Sequence, residues 1–135
     1  MNYALNSDFT FRKAERIVSQ KIIDDLFSGT GSHSLVAVPI RAVYKTHPSP
    51  STLHTSPSTI LVSVPKRRFH HAVDRNRVKR QLREAYRHYK YLLTDRLPAD
   101  QSLSIAFIWQ SDAHFPSAVI DKRVQNLLKR IADSL

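Results

Sequence analysis

Apolar and polar positions recur with different periods along the chain, and these periods predict its secondary structure. Residues 12–27 have helical composition without Gly or Pro, and the glycines that follow can end a helix. Residues 34–45 are rich in β-branched and apolar side chains but are interrupted by Pro39, which predicts a short strand and then a longer one. Residues 59–64 alternate as a half-buried strand does, and we expect this strand to pair with the preceding one as a hairpin.

The second half of the chain predicts two helices around one buried strand. A basic segment from residue 74 has helical composition to about Leu93, and the run LSIAFIW at 103–109 is apolar enough for a buried strand. A final helix is predicted from about Ser117, because apolar side chains there share a sector of about 100° at 3.6 residues per turn. Those side chains are Ile120, Val124, Leu127, Leu128, Ile131 and Leu135.

The order of these elements predicts the fold class. Helix, three strands, helix, strand and helix are typical of an α+β sandwich, with the helices against one mixed sheet. A length of 135 residues fits a single domain spanning 1–135. Residues 46–58 read THPSPSTLHTSPS, and three prolines among Ser and Thr with few apolar side chains predict a mobile loop.

Composition narrows the class of partner. The chain has no Cys, which excludes disulfides and thiolate metal sites. No apolar run approaches the roughly 18 residues needed to cross a bilayer, and the N-terminus lacks the apolar stretch of a secretory signal, so we expect a cytoplasmic protein without a membrane partner. The 21 Lys and Arg outnumber the 11 Asp and Glu, giving a net charge of +10 and a pI near 10.3. Such an excess repels itself unless a polyanion relieves it, which indicates nucleic acid.

The positive charge clusters in the segment DRNRVKRQLREAYR at 74–87. One face of its helical wheel is apolar and is expected to pack against the sheet. That face holds Val78, Leu82, Ala85 and Tyr89. An adjacent sector of about 140° collects Arg75, Lys79, Arg80, Arg83, Arg87 and Lys90, with Asn76 in its middle. Like charges four residues apart destabilise an isolated helix by about 0.2–0.5 kcal/mol per pair, so a row of phosphates explains the pattern better than helix stability does.

Two features extend this basic surface. Lys66, Arg67 and Arg68 lie just upstream, at the end of a predicted strand. Asn76 has two interpretations: its amide donates to a phosphate or reads a base edge, or it caps the start of the helix. Arg77 lies about 200° around the wheel from Arg75, off the main basic row.

Residues 64–87, VPKRRFHHAVDRNRVKRQLREAYR, closely resemble the signature of the bacterial ribonuclease P protein component. In that family a strand that ends in a basic pair leads to a helix with the pattern R-N-R-[IV]-K-R…R-E-[AS]-[FY]-R. The strand-end pair corresponds to Lys66 and Arg67. The basic and amide positions of the helix correspond to Arg75, Asn76, Arg77, Lys79, Arg80 and Arg83, followed by the triplet Glu84, Ala85 and Tyr86.

The resemblance implies a ribosomal-protein-like α+β sandwich with a left-handed βαβ crossover around the basic helix. It implies a subunit of ribonuclease P that binds the catalytic RNA and the 5′ leader of precursor tRNA. The holoenzyme would remove the leader with magnesium held mainly by the RNA and substrate, and the protein alone would be non-catalytic. The implied RNA-binding residues are Lys66, Arg67, Arg68, Arg75, Asn76, Arg77, Lys79, Arg80, Arg83 and Arg87.

The resemblance also implies a leader-binding cleft between the first helix and the sheet. That helix has a predicted core stripe and a second row that is half apolar. The stripe is Ala14, Ile17, Val18, Ile22 and Leu26, and the second row is Arg16, Gln20, Ile23 and Phe27. Apolar platforms beside cations suit single-stranded RNA, so Arg16, Ile23 and Phe27 are candidate leader contacts; the alternative is that Ile23 and Phe27 are core. Tyr44 is assigned to the cleft, with Arg41 as the alternative, because a one-residue register shift exchanges their faces.

Two other functions are compatible with part of the pattern. A basic ribosomal or ribosome-assembly protein would share the helix and the fold class, and co-purifying RNA would distinguish it. A protein-only nuclease would need its own site, but the sequence has no Cys nucleophile, Gly-rich phosphate loop or carboxylate cluster. His70 and His71 are adjacent, a spacing that does not suit a helical or strand ligand pair, so we expect RNA contacts or loop packing from them.

Overall fold

A computed structural model describes the chain over residues 16–17, 20–28, 31–48 and 58–135. The described helices are α1 (Gln20–Phe27), α2 (Ala72–Tyr89), α3 (Tyr91–Thr94) and α4 (Ser117–Asp133). The described strands are β1 (His33–Ala37), β2 (Ile40–Pro48), β3 (Ser58–Ser63) and β4 (Gln101–Trp109). This order confirms the predicted α-β-β-β-α-β-α arrangement, with α3 as one extra turn where the basic helix was expected to continue to Leu93.

The four strands form one mixed sheet in the order β1-β2-β4-β3. The β1/β2 and β2/β4 pairs are antiparallel, whereas β3 and β4 are parallel and are joined through α2. The predicted hairpin between β2 and β3 is therefore wrong, because β4 lies between them. This placement fits burial: β4 has fully buried side chains on both faces, Phe107 on the inner and Ala106 on the outer, and in the middle of the sheet both faces lie under packed elements.

The inner face of the sheet carries the main core. Alternate residues of β2, β3 and β4 point toward α2 and α4, as the predicted alternation of Ile60 and Val62 requires. The predicted stripe of α4 is confirmed at Ile120, Val124, Leu127, Leu128 and Ile131, which are all fully buried, whereas Leu135 lies beyond the end of the helix and is half-buried.

The outer face of the sheet is covered in part by α1 and contains a smaller core. Leu26 of α1 packs there with Ile17, Val43 and Ala106, and Ile23 lies half-buried against them. The expected core position Ile22 is instead 38% exposed, so the predicted stripe is wrong at this residue. Ala14 and Val18 lie outside the described residues.

The first helix begins later than its composition predicts. Arg16 pairs with Ile60 in a parallel bridge, and the amide of Ile17 donates to the Ile60 carbonyl at 2.9 Å. These two residues are therefore extended, and α1 starts at Gln20. The cause is non-local: β3 is an edge strand whose backbone groups accept a partner that helix propensity does not anticipate.

Strand residues occupy both ends of the segment 46–58 that was predicted to be a loop. Thr46, His47 and Pro48 continue β2 in register with β4, and Ser58 begins β3. Ser58 is buried, and its hydroxyl lies 2.5 Å from the hydroxyl of Tyr86 in α2. Residues 49–57 lie outside the described residues, where the loop stays a prediction.

Candidate RNA interface

The excess positive charge is confined to two parts of the chain. Residues 66–90 contain ten Lys and Arg against two Asp and Glu, and α4 contains four against two. The rest of the chain contains seven of each and is balanced. Eight of the ten net charges therefore belong to residues 66–90, which comprise the turn before α2, α2 itself and Lys90 at its end.

Helix α2 divides into a buried face and a basic face. Val78, Leu82 and Ala85 are fully buried against the sheet, as predicted, whereas Tyr89 is only half-buried. Tyr86 is also fully buried, a core role that its place in the sequence motif did not indicate. With this face fixed by the core, the basic sector must turn outward.

The described side chains of the basic surface fall into two groups. Lys66, Arg67, Asn76, Arg77 and Arg80 are exposed, and Lys79 and Arg83 are half-exposed. The second group is engaged with the protein itself: Arg68 pairs with Asp112, Arg75 binds backbone carbonyls, and Arg87 pairs with Glu84. Lys90, expected on the basic face, is buried where α2 ends.

Arg75 stabilises the turn that precedes α2. Its Nη1 donates to the carbonyl oxygens of Phe69 and His70, at 2.9 Å each. Phe69 is buried and stacks on His114, whose Nε2 lies 3.0 Å from Asp74 Oδ1. Arg75 thus links the turn to α2, and its Nη1 is occupied by hydrogen bonds within the protein.

Asn76 does not cap α2. The helix begins at Ala72, its N-cap residue is His71, and no side-chain hydrogen bond caps it. Asn76 is exposed in the second turn, so of its two interpretations the capping role is excluded. Its amide is available to a ligand.

Arg83 faces the edge of the sheet where Arg16 lies. Burial, and then the nearby positive charge of Arg16, lower the pKa of Arg83 from its ordinary value. Two cations that repel each other across α2 and the β3 edge are destabilising in the free protein. A bound phosphate would relieve that repulsion.

Arg87 and Glu84 form an ion pair one turn apart on α2. The hydrogen bond with Glu84 raises the pKa of Arg87, and the same bond lowers the pKa of Glu84. Arg87 therefore adds less to the outward field than the exposed Arg77 or Arg80.

A groove lies between the end of α1 and the outer face of the sheet. Its lining is Leu26, Phe27, Ser32, His33, Ser34, Arg41 and Val43. Phe27 is 47% exposed, and Arg41 is exposed while its Nε donates to Ser34 Oγ at 2.9 Å. An exposed aromatic ring and a guanidinium on one groove are the groups that hold single-stranded nucleic acid.

The register decides between the two strand candidates. Tyr44 is only 5% exposed, lies in the inner core, and places its hydroxyl 3.1 Å from that of Ser134. Its assignment to the cleft is wrong, because adjacent strand residues face opposite sides and Arg41 takes the outer face. Ile23 is half-buried beneath the groove, and Arg16 is exposed at the β3 edge rather than in the groove lining.

Three polar side chains near the groove were missed from the sequence. Lys45 Nζ lies 2.9 Å from Asp25 of α1, and His47 follows two residues later on the same face. His47 Nε2 is 2.9 Å from the buried Ser104 Oγ, and its Nδ1 is 3.9 Å from Asp25. The two-residue spacing from Arg41 through Lys45 to His47 would have revealed them once the face of Arg41 was known.

We expect His47 to make stability depend on pH. Burial, the largest cause, lowers the pKa of His47, Asp25 opposes this, and Lys45 reinforces it. The unfolded chain therefore binds the proton more readily, and the free energy of unfolding should fall as pH decreases through about 6.5. Unfolding measured at about pH 5.5 and about pH 7.5 should show a smaller difference for His47→Gln than for the unmodified protein. His70→Gln, at an exposed histidine, is the control; equal pH dependence in all three proteins would contradict the prediction.

The remaining histidines do not form a metal site in the described residues. His70 and His71 are both exposed, and neither caps α2 with its side chain. Within 16–17, 20–28, 31–48 and 58–135, no three His, Asp or Glu side chains converge as metal ligands.

The comparison with known families agrees with this geometry. The family model for ribonuclease P matches residues 11–132, nearly the whole chain. The chain belongs to the ribonuclease P protein family. Ribonuclease P is a tRNA-processing endoribonuclease, and the protein component is a subunit of the holoenzyme, so the ribosomal alternative is disfavoured.

Relatives support the same assignment. The ribonuclease P protein component of Porphyromonas gingivalis is 40% identical over 128 residues, covering 94% of this chain and 90% of that protein. The ribonuclease P protein of Thermotoga maritima has a similar fold, with a TM-score of 0.65 at 20% identity over 86% of this chain and 96% of that one. That of Staphylococcus aureus gives 0.66 at 20% identity, over 88% and 96%. In the described part of this ribonuclease P protein, no helix is long and apolar enough to cross a membrane.

Proposed function

We propose that this ribonuclease P protein binds the catalytic RNA subunit through α2 and the turn before it, and the 5′ leader of precursor tRNA in the groove beside α1. The observation that carries the proposal is the concentration of net charge in residues 66–90 on an outward face. Phosphate contacts supply most of the affinity of such a surface and make it salt-dependent. The holoenzyme acts in the cytoplasm on precursor tRNA.

The protein contributes positioning rather than hydrolysis. The guanidinium groups of the α2 arginines each bind a phosphate through two donors, and this fixes the orientation of the protein on the RNA. Phe27 and Arg41 then hold the leader beside the catalytic RNA. The RNA and substrate, rather than residues of this protein, would hold magnesium, which when bound would activate the water for hydrolysis.

Cleavage of precursor tRNA at low magnesium tests the function. The mixture of this protein with ribonuclease P RNA should release the 5′ leader faster than the RNA alone, and the protein alone should release none. Equal rates with and without the protein would overturn the proposal. Cleavage by the protein alone would support a protein-only nuclease instead.

We expect Phe27→Ala to weaken binding of substrates that carry a leader. Stacking of one base on an aromatic ring contributes about 1–3 kcal/mol, so the KM for precursor tRNA should rise by roughly five-fold or more. Tyr44→Phe is the matched control, because it changes an aromatic residue on the opposite face of the sheet. A precursor shortened to a one-nucleotide leader should show little effect of either change. A larger effect of Tyr44→Phe would place the leader elsewhere.

A further inference from the structure

Helix α4 carries a second basic surface. Its inward side chains are fully buried, and its outward cations are all exposed. We call these outward cations the α4 basic face; they are Lys122, Arg123, Lys129 and Arg130. They form two columns with a spacing of seven residues, which is about 10.5 Å along the helix.

The arginine column of the α4 basic face, Arg123 and Arg130, points away from α2, whereas Lys122 and Lys129 lie opposite the buried stripe. Arg123 Nε donates to the Val38 carbonyl and Arg130 Nη1 donates to the Val36 carbonyl, both at 3.0 Å. The arginine column is therefore turned toward β1, an edge strand, and the turn that follows it. On the other side of the helix layer, Gln81 of α2 binds the chain at Phe115 and Ser117, where α4 begins.

The basic row of α2 lies at the other edge of the sheet. Arg83 is close enough to Arg16 for the charge of one to lower the pKa of the other, and Arg16 pairs with β3. Strands β1 and β3 are the two edges of the four-stranded sheet, so three strand spacings of about 4.8 Å, roughly 14 Å, separate them. Arg123 and Arg130 of α4 and Arg83 of α2 thus lie toward opposite edges of the sheet.

The two acidic side chains of α4 lie apart from its four cations, which favours binding of an anion. Asp133 lies 3.8 Å from Arg96, so its negative charge is paired with Arg96 rather than with the four cations. Asp121, the other acid of α4, projects about 75° from the centre of the buried stripe, on the side toward α2. The contacts with the Val36 and Val38 carbonyls hold two guanidinium groups in place, which reduces the entropy cost when their remaining donors bind a phosphate.

We propose that the α4 basic face binds the phosphate backbone of a second segment of the catalytic RNA, so that the protein bridges two segments. The inference rests on the proposed function, because it assigns a further surface to the same RNA partner. Phosphate is the chemistry that fits, since the face offers cations in columns and no exposed aromatic platform among its four residues.

Salt-dependent binding to ribonuclease P RNA tests the inference. Lys122→Gln with Lys129→Gln removes two exposed charges and leaves the arginine contacts with the Val36 and Val38 carbonyls intact. The slope of log affinity against log salt should shallow by about 0.7–0.9 for each phosphate that the variant no longer neutralises. Lys122→Arg with Lys129→Arg is the matched control, which keeps the charge and should keep the slope. Hydroxyl-radical footprinting should show that the glutamine variant no longer protects one segment of the RNA.

A variant on α2 separates the possible outcomes. Lys79→Gln with Arg80→Gln should shallow the slope to a similar extent but leave a different RNA segment unprotected. If the α2 variant shallows the slope and the α4 variant does not, the second surface is excluded while RNA binding by α2 stands. Exposure of the same RNA segment in both variants would also overturn the bridging arrangement. If neither variant changes the slope, the proposed function itself fails.

Discussion

Replacing Lys79, Arg80 and Arg83 together with Gln should reduce affinity for the catalytic RNA without unfolding the protein. The slope of log affinity against log salt should shallow by about 0.7–0.9 for each phosphate that is no longer neutralised, hence by roughly two to three for three phosphates. Arg75 is left in place, because its bonds to the Phe69 and His70 carbonyls hold the turn before α2. Titrations at several salt concentrations measure the slope.

Stability of this triple variant should hold or rise slightly. Gln is nearly as good a helix former as Lys or Arg, and the change removes like-charge pairs four residues apart, each unfavourable by about 0.2–0.5 kcal/mol. It also removes Arg83, whose charge Arg16 opposes. The control exchanges Lys for Arg and Arg for Lys at the three positions and should keep the slope. Disappearance of the thermal transition with an unchanged slope would show that the row serves folding.

Leu82→Ala should produce the opposite result on the same helix. Leu82 is fully buried between α2 and the sheet, and truncation of such a side chain costs about 2–5 kcal/mol of the free energy of unfolding. That is a large share of the roughly 5–15 kcal/mol that stabilises a domain, and Tm should fall by on the order of 10 °C. Below the transition, the salt slope of RNA binding should be unchanged, because Leu82 faces away from the RNA.

Arg80→Ala is the matched control for Leu82→Ala. Both changes place Ala on α2 two residues apart, but Arg80 is exposed and should affect affinity more than stability. Thermal unfolding and RNA titration on both variants give the comparison. If Leu82→Ala reduced the salt slope while leaving Tm unchanged, the assignment of the buried and basic faces of α2 would be reversed.

Local periodicity predicted the faces of the two long helices. The side chains of α4 that share a sector at 3.6 residues per turn are the ones buried, and Val78, Leu82 and Ala85 of α2 behave alike. The buried positions extend over about two turns in α2 and about three in α4, and a shift of one residue would place charges in the core. The sequence alone therefore predicts which apolar stripe of each helix is buried.

Short or partly apolar segments were less informative. Ile22 and Ile23 are neighbours of similar hydrophobicity, and only the position of α1 over the sheet decides that Ile23 is half-buried and Ile22 is exposed. Tyr86 is a comparable case, because its motif position suggested nothing about burial, while its hydroxyl meets Ser58 from a strand 28 residues away.

The sequence by itself determined the order of elements, the basic row on α2, and the family that its motif indicates. Only the tertiary structure decided which strands pair, that β4 separates β2 from β3, and that Arg41 rather than Tyr44 lies beside Phe27. It also decided that Arg75 and Arg87 are partly engaged with the protein. The physical reason is range: periodicity and charge are properties of neighbouring residues, whereas strand register and salt-bridge partners depend on contacts between residues far apart in the chain.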